Sequence, residues 1–440
     1  MKILVMDFGT SSIKFSILDE TFEIQKTIKI PYELRIYNGD WAELDGDILL
    51  NAMIQGIRNL GDQLDEIELI GFDNFSPSLI FMDMEGNPLC PLFAHLDRRS
   101  KKQTQNILDD MGKEKFQSIT GILPFTGGAS ITSVLWVKEN MEEVFKKAFH
   151  IGHLNTFIYK KLTGMWLIDP VNASMTGIYE TITRQGWSKE ICKTFGIPLS
   201  LLPEIKEAGT IAGNLRNDVA ALCGLKAGIP VALGSNDAAT AQIGAQNTKS
   251  GDILNISGSS EMISILTELP YINDLYYLRC AATPELWQIY ATTTGGFAID
   301  WFRKEFYRDM DERTFFNREF PRVINEYLDK TSVTFLPYLM GDRQSITPKK
   351  AAFKEITLET KREDLLAAIV LGIHDPIKKV IETTESFLKL GKTIKVTGGM
   401  IDGSILRAKE KLFAKYLFKF VPDCPVIGSA ILAMNGLNSI

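Results

Sequence analysis

The sequence predicts an α/β protein made of two related halves. Three observations lead there. An apolar run, Ile3-Leu4-Val5-Met6, ends in Asp7 and a small-residue turn, and apolar and polar residues then alternate to Asp19. That is a buried strand folded back on a half-buried one. The same plan returns from Ile253 to Leu266 around Gly258, Ser259 and Ser260, with Ser257 read in the place of Asp7. Repetition of one supersecondary unit points to duplicated architecture. Finally, 440 residues, 45 % of them hydrophobic, suit two large domains.

The elements follow in order. Thr27 to Ile30 extends the first hairpin, and Asp45 or Asp47 caps a helix whose apolar positions run from Ile48 to Leu60. Ile67 to Gly71 is a buried strand, with Asp73 to Ser78 leaving its end, and Glu85-Gly86-Asn87-Pro88 is a turn. Arg98 to Leu108, Phe116 onward and Val134 to Lys147 read as helices, and Val231 to Leu233 as a strand. Gly234 to Thr240 is a strand end, a turn carrying Asp237, and a small-residue helix start. The hinge is expected at 240–250, dividing the chain into 1–243 and 244–440. In the second half, Glu363 to Leu388 is a long helix, Ile394 to Thr397 a buried strand and Leu406 to Leu417 a helix. Ile427 to Met434 is small and apolar, suited to close helix packing.

Composition narrows the function. A net charge of −6 argues against a general nucleic-acid binder. The opening apolar run is too short for a signal peptide. Leu365 to Ile373, the longest apolar helical segment, is far shorter than the roughly 20 residues a membrane span needs. Five dispersed cysteines read as reduced packing residues in an intracellular chain. A cytoplasmic location and no membrane partner are therefore expected. The four histidines lack ligand spacing and no HExxH occurs, which argues against zinc. Gly391-Lys392-Thr393 resembles the end of a P-loop, but Ser386 stands where that loop needs its first glycine.

The hairpin tips carry the chemistry. Successive amides around Gly9, Thr10, Ser11 and Ser12 can cradle a phosphate. Asp7, at the strand end, can hold Mg²⁺. An ordinary surface hairpin is the alternative. Asp237 is either a carboxylate at the mouth between two domains or a cap for the helix from Ala238.

Together these stretches resemble the FGGY family of carbohydrate kinases. The opening is similar to the family's DxGTSSxK through Asp7, Gly9, Thr10, Ser11, Ser12 and Lys14. Asp40 to Glu43 resembles GWxEQD, Asp97-Arg98-Arg99 resembles WxDxR, and Leu162 to Gly164 with Asn172 to Gly177 resembles RLTG…SNAS.TG. Gly234 to Ala239 resembles GxxD, Ile256 to Ser260 LGTS, Gly295-Gly296 with Trp301 GGxxxxW, and Pro337 to Arg343 PYxxGER. The likeness runs over nearly the whole chain. It implies two actin-like (ribonuclease-H-like) domains with the active site in the cleft. It also implies transfer of the ATP γ-phosphate to a sugar or polyol hydroxyl, with Mg²⁺. By matching position, Asp237 is the general base, and Asp7 with Asp237 attends the metal. Gly9, Thr10, Ser11, Ser12, Lys14, Gly258 and Ser259 lie on phosphates. Gly296, Gly398, Gly399 and Met400 lie on adenosine. Asn74, Ser76 and Asp97, short polar groups that follow strand ends in the first half, are expected to face the sugar, with Asn236 and Asp237 beside them. The partner implied is a small-molecule sugar such as a ketose of the xylulose type, and a homodimer is compatible with the reading.

At Ser76-Pro77 glycerol kinases carry Arg-Glu and xylulokinases Met-His, and His95 replaces the family's tryptophan, so neither familiar specificity is assumed. An actin-like ATPase and a non-catalytic sugar-binding relative are the competing functions. Asp97 has its own alternative, pairing with Arg99 or capping the following helix.

Overall fold

The computed structural model describes residues 1–439 apart from 340, 343–345, 347–348 and 400–402. Met400, expected beside adenosine, and Arg343 lie outside the described residues.

The first sheet grows from the opening hairpin. Lys2–Phe8, Ser12–Asp19 and Ile24–Pro31 run antiparallel. On the other side of Lys2–Phe8 lies Ile67–Asn74, in parallel, followed by the short strands Pro230–Val231 and Ser235–Asn236. The second sheet repeats this plan. Ile253–Ser257, Ser260–Thr267 and Trp287–Thr294 form the antiparallel part, and Thr393–Thr397 and Leu417–Phe420 the parallel part. The expected two actin-like units are therefore present.

Pairing corrects one detail of the repeat. Phe8 faces Ile13 at the end of the first hairpin, and Ser257 faces Glu261 at the end of the second. Ser257 thus occupies the place of Phe8, and Ile256 that of Asp7. The carboxylate still belongs to the first copy alone.

Two helices lock the halves together. Asp237–Gly244 leaves the first sheet, and Cys424–Leu437, from the end of the chain, packs back on it. Val426, Ala430 and Ala433 are buried against Ile3, Val5 and Leu69. The small residues seen from Ile427 to Met434 make this possible. A Cβ at Gly428 would lie 1.8 Å from the Thr240 carbonyl oxygen, and one at Gly244 1.9 Å from that of Cys424.

The first half carries a further sheet, in which Trp41–Leu44, Leu92–Ala94, Ser78–Met82 and His150–Gly152 are successive neighbours. Asp45 caps Gly46–Arg58, its carboxylate accepting from the amides of Asp47 and Ile48. Three expectations shift. Ile67–Asn74 runs three residues beyond Gly71, so Asp73 and Asn74 are strand residues. The helix expected over Val134 to Lys147 is two, Ser130–Asn140 and Glu142–Lys147, because Met141 leaves the helical region at φ −133°, ψ 53°. The last-but-one helix is Gly403–Leu412, and Leu417 already begins a strand. Among the described residues, no helix is long and apolar enough to cross a membrane.

Candidate active site

Three carboxylates meet where the first sheet ends. Asp7 and Asp73 are register partners on adjacent parallel strands. Asp237 opens the helix beside Ser235–Asn236, which pairs with Asp73 and Asn74. Asp73 is fully buried, and its Oδ2 accepts from Ser429 Oγ at 2.6 Å, while Oδ1 has no partner. Burial and the charge of Asp7 push Asp73 well above the usual carboxylate range. Burial also raises Asp7, against the pull of Lys14. Asp237 is pushed up to about 6 by burial and the charge of Asp7, tempered by its bond from the Ala238 amide and by Arg279. Its Oδ1 accepts from the Ala238 amide at 2.7 Å and from Asn236 Nδ2 at 2.8 Å. A cluster of buried carboxyl groups with an unpartnered oxygen suits a hard, oxygen-seeking cation such as Mg²⁺. Among the described residues, no group of three or more His, Cys, Asp or Glu is arranged as a protein-only metal cage. Mg²⁺ typically uses one or two carboxylates plus substrate phosphates and waters.

The first turn, Gly9 to Ser12, is closed by the Gly9 amide donating to the Ser12 carbonyl at 3.0 Å and braced by Tyr32, whose amide donates to Ser11 O at 3.0 Å. Tyr32 also bonds the Gly9 carbonyl through its hydroxyl. Lys14 Nζ stands 4.0 Å from Asp7 and 3.3 Å from Asp423, which precedes the carboxy-terminal helix. The second turn is supported from behind. Gly295 and Gly296 amides donate to the carbonyls of Ser259 and Gly258 at 3.1 and 2.9 Å. Gly296, expected at adenosine, thus braces the turn carrying Gly258 and Ser259. A Cβ at Gly258 would meet nothing closer than Ser260 O at 3.9 Å, so the face of this turn is open. Gly398 is different: at φ +115° its Cβ would fall 2.2 Å from Ser257 O, so only glycine lets this segment lie on the hairpin. Among the described residues, nothing lies within 4 Å of a Cβ at Gly399.

The expected sugar-facing residues Asn74 and Ser76 join one hydrogen-bonded network anchored on Asp169. Ser76 Oγ and Asn74 Nδ2 donate to Asn172 Oδ1, the second at 3.4 Å. Asn172 Nδ2 donates to Asp169 Oδ1 at 2.7 Å, which fixes the amide orientation. His153 Nδ1 therefore donates to Asn172 Oδ1 at 3.3 Å, and Nε2 accepts from Ser130 Oγ at 2.8 Å. Asp169 also takes Ser235 Oγ at 2.6 Å and Asn155 Nδ2 at 2.9 Å, and burial raises it to about 6. Asn236 lies beside this network, its Nδ2 3.4 Å from Asn74 O.

Asp97 makes the pairing with Arg99. Oδ2 accepts from the Ala42 amide at 2.8 Å and from Arg99 Nη2 at 2.7 Å, and Oδ1 accepts from Arg99 Nε at 3.0 Å. Arg99 bonds Glu43 Oε1 at 2.7 Å and lies over the Trp41 ring at 3.8 Å. The DWAE and DRR stretches thus form a buried clasp, and the Asp97 carboxylate is already committed within it. Sequence reasoning also missed Asp73, Asn172's bridging role and Arg279. Arg279 is buried over Tyr290 at 4.1 Å and donates from Nε to Gln288 Oε1 at 2.7 Å.

The model of the N-terminal domain of the FGGY family of carbohydrate kinases matches residues 2–244. The chain is similar to a xylulose kinase of Staphylococcus xylosus, 21 % identical, covering 99 % of this chain and 90 % of that one. It is 23 % identical to a gluconokinase of Bacillus subtilis, covering 92 % and 81 %. The crystal structure of a ligand-bound xylulose kinase from Lactobacillus acidophilus superposes with a TM-score of 0.90 at 21 % identity, over 100 % and 90 % of the two chains. That of a gluconate kinase from the same species gives 0.87 at 21 % identity, over 100 % and 90 %. The structural likeness carries the fold, and the family model, matched over more than half the chain, carries the membership: this protein belongs to the FGGY family of carbohydrate kinases, phosphotransferases with an alcohol group as acceptor.

Proposed function

We propose that the chain transfers the γ-phosphoryl group of ATP to a hydroxyl of a neutral sugar or polyol, a ketose such as xylulose among the candidates, with Asp237 as general base. The division at 1–243 and 244–440 is kept, the first half gripping sugar and the second nucleotide. The observation that carries the reading is the position of the Asp237 carboxylate. It stands beside Asp7 at the start of the helix that links the two sheets. With a pKa of about 6 it is ionised at neutral pH, in a ratio of about ten to one.

In this mechanism Asp237 orients the attacking hydroxyl and takes its proton. The hydroxyl oxygen forms the new bond to phosphorus as the bond to the ADP oxygen breaks. Phosphoryl transfer asks mainly for positioning and charge neutralisation. Amides of Gly9 to Ser12 and of Gly258 and Ser259, with Lys14, bind and orient the phosphates. Gly398 and Gly399 let the backbone approach adenosine. Asp7, with Asp237 beside it, would hold Mg²⁺, which would neutralise the triphosphate charge. Asn74, Ser76, Asn236, Asn172 and His153 are uncharged hydrogen-bonding groups, which favours hydroxyl recognition over recognition of a charged substituent.

Incubation of the chain with MgATP and a panel of ketoses, aldoses and polyols, following ADP release, tests this. One or a few sugars should strongly stimulate release. Sugar-independent hydrolysis would favour the actin-like ATPase, and sugar binding without turnover the non-catalytic relative.

A further inference from the structure

The second half holds a buried ionic cluster that phosphoryl transfer does not use directly. Lys409, on the helix Gly403–Leu412, is 1 % exposed. Its ammonium donates to Asn255 Oδ1 at 2.7 Å, to Glu261 Oε1, and to His374 Nε2 at 3.1 Å, so three protons meet three acceptors. Glu261 accepts in addition from Asn255 Nδ2 and from Ser257 Oγ, each at 2.7 Å. His374 Nδ1 donates to Val370 O at 2.7 Å, which leaves Nε2 free to accept from the lysine.

Stability does not account for such a cluster. A buried ion pair is often replaced by apolar residues of similar volume at no loss. Its placement suggests a geometric task. Asn255 and Ser257 share one face of the strand that enters the turn at Gly258, and Glu261 is the cross-strand partner of Ser257. The backbone of Gly398 lies against that of Ser257. Lys409 sits on the helix that follows this glycine segment in the chain.

We propose that Lys409 and Glu261 are positioning residues for the nucleotide, fixing the spacing between the turn at Gly258 and the segment at Gly398-Gly399 so that both ends of ATP are gripped together. The inference rests on the ATP-dependent reading above.

Calorimetric titration of the full-length chain with MgATP, without sugar, tests it. Lys409→Met leaves Glu261 buried without its counter-charge, so its melting temperature should fall. The double variant Lys409→Met/Glu261→Leu should recover most of that temperature while binding MgATP at least tenfold more weakly than the wild type. A purely structural cluster predicts recovery of both. Ser257→Ala removes one bond at the turn and keeps the ion pair. It should weaken MgATP at least threefold with little change in melting, and it decides the matter if the double variant does not fold. Wild-type affinity in the folded double variant, or in Ser257→Ala should the double variant not fold, overturns the positioning role alone. A wild-type chain that binds no MgATP overturns the kinase reading and this inference with it.

Discussion

Replacing Asp237 by asparagine separates catalysis from architecture. The substitution keeps the shape of the side chain and an oxygen for the Ala238 amide, which the native Oδ1 accepts at 2.7 Å. It removes one of three neighbouring carboxyl groups, and Asp7 is the charge that pushes Asp237 upward after burial. Folding therefore has nothing to lose electrostatically. The cap position of this helix is Asn236, which makes no side-chain cap bond, and not Asp237, so no cap is lost and the melting temperature should hold or rise slightly. Catalysis is another matter. A sugar hydroxyl is a poor acid, and a base that takes its proton as the bond to phosphorus forms is typically worth ~10²–10⁴ in rate. That is roughly 3–5 kcal/mol at 1.36 kcal/mol per decade. We expect kcat to fall at least about a hundredfold, with the KM for ATP and for sugar changed far less. Coupled ADP-release kinetics with the best sugar of the panel, beside a melting curve of the same preparation, measure both. A kcat within tenfold of the wild type would refute the base assignment and leave Asp237 as a helix-start residue only.

Gly258→Val should fold normally, since its added Cβ meets nothing nearer than 3.9 Å, yet calorimetry should find MgATP binding lost because the side chain covers the open face of the turn. Gly428→Ala should cost at least ~3 kcal/mol in chemical denaturation, the upper range for overpacking, because its Cβ would lie 1.8 Å from Thr240 O. Asp97→Asn should destabilise by about 3 kcal/mol, the low end for breaking a buried pair since Glu43 still faces Arg99, with sugar KM unchanged in the folded protein. Burial lowers both His153 and His374 to about 4, the second helped by Lys409, while the unfolded imidazole titrates near 6.5. Below pH 6.5 the unfolded chain takes up these protons first, so the stability present above 6.5 is lost on acidification, by about 2 kcal/mol per histidine at pH 5. Denaturation curves of His374→Gln should show a shallower decline between pH 7 and 5 than those of the wild type.

What was legible in the sequence is what is local in the chain. The two hairpins announce themselves because a buried strand, a small-residue turn and an alternating strand all fall within about twenty residues, and the period of a strand is written residue by residue. Asp45 is readable as a cap for the same reason. Periodicity alone misleads where a local backbone break interrupts it, as at Met141, whose apolar neighbours continue the helical spacing across two helices. It also miscounts across turns of different length: four residues separate Phe8 from Ile13 and three separate Ser257 from Glu261, so Ser257 matches Phe8 and not Asp7. The site itself is only half local. Asp7 and Asp237 stand in recognisable stretches, but the third carboxylate, Asp73, lies within an extended strand and gains its meaning from Ser429, 356 residues away. A short polar residue that follows a strand end, as Asp97 does, reads as a hydroxyl-binding group. The partners that claim it are Arg99, two residues on, and the Ala42 amide, 55 residues back. A carboxylate's role is decided by which donors reach it first, and folding determines those donors. The Lys409 cluster makes the point most sharply. A lysine on an amphipathic helix reads as solvated until the strand carrying Asn255, 154 residues earlier, closes over it. Once it is buried there, each of its protons needs an acceptor, and the geometry that supplies them also ties the turn at Gly258 to the helix beyond Gly398.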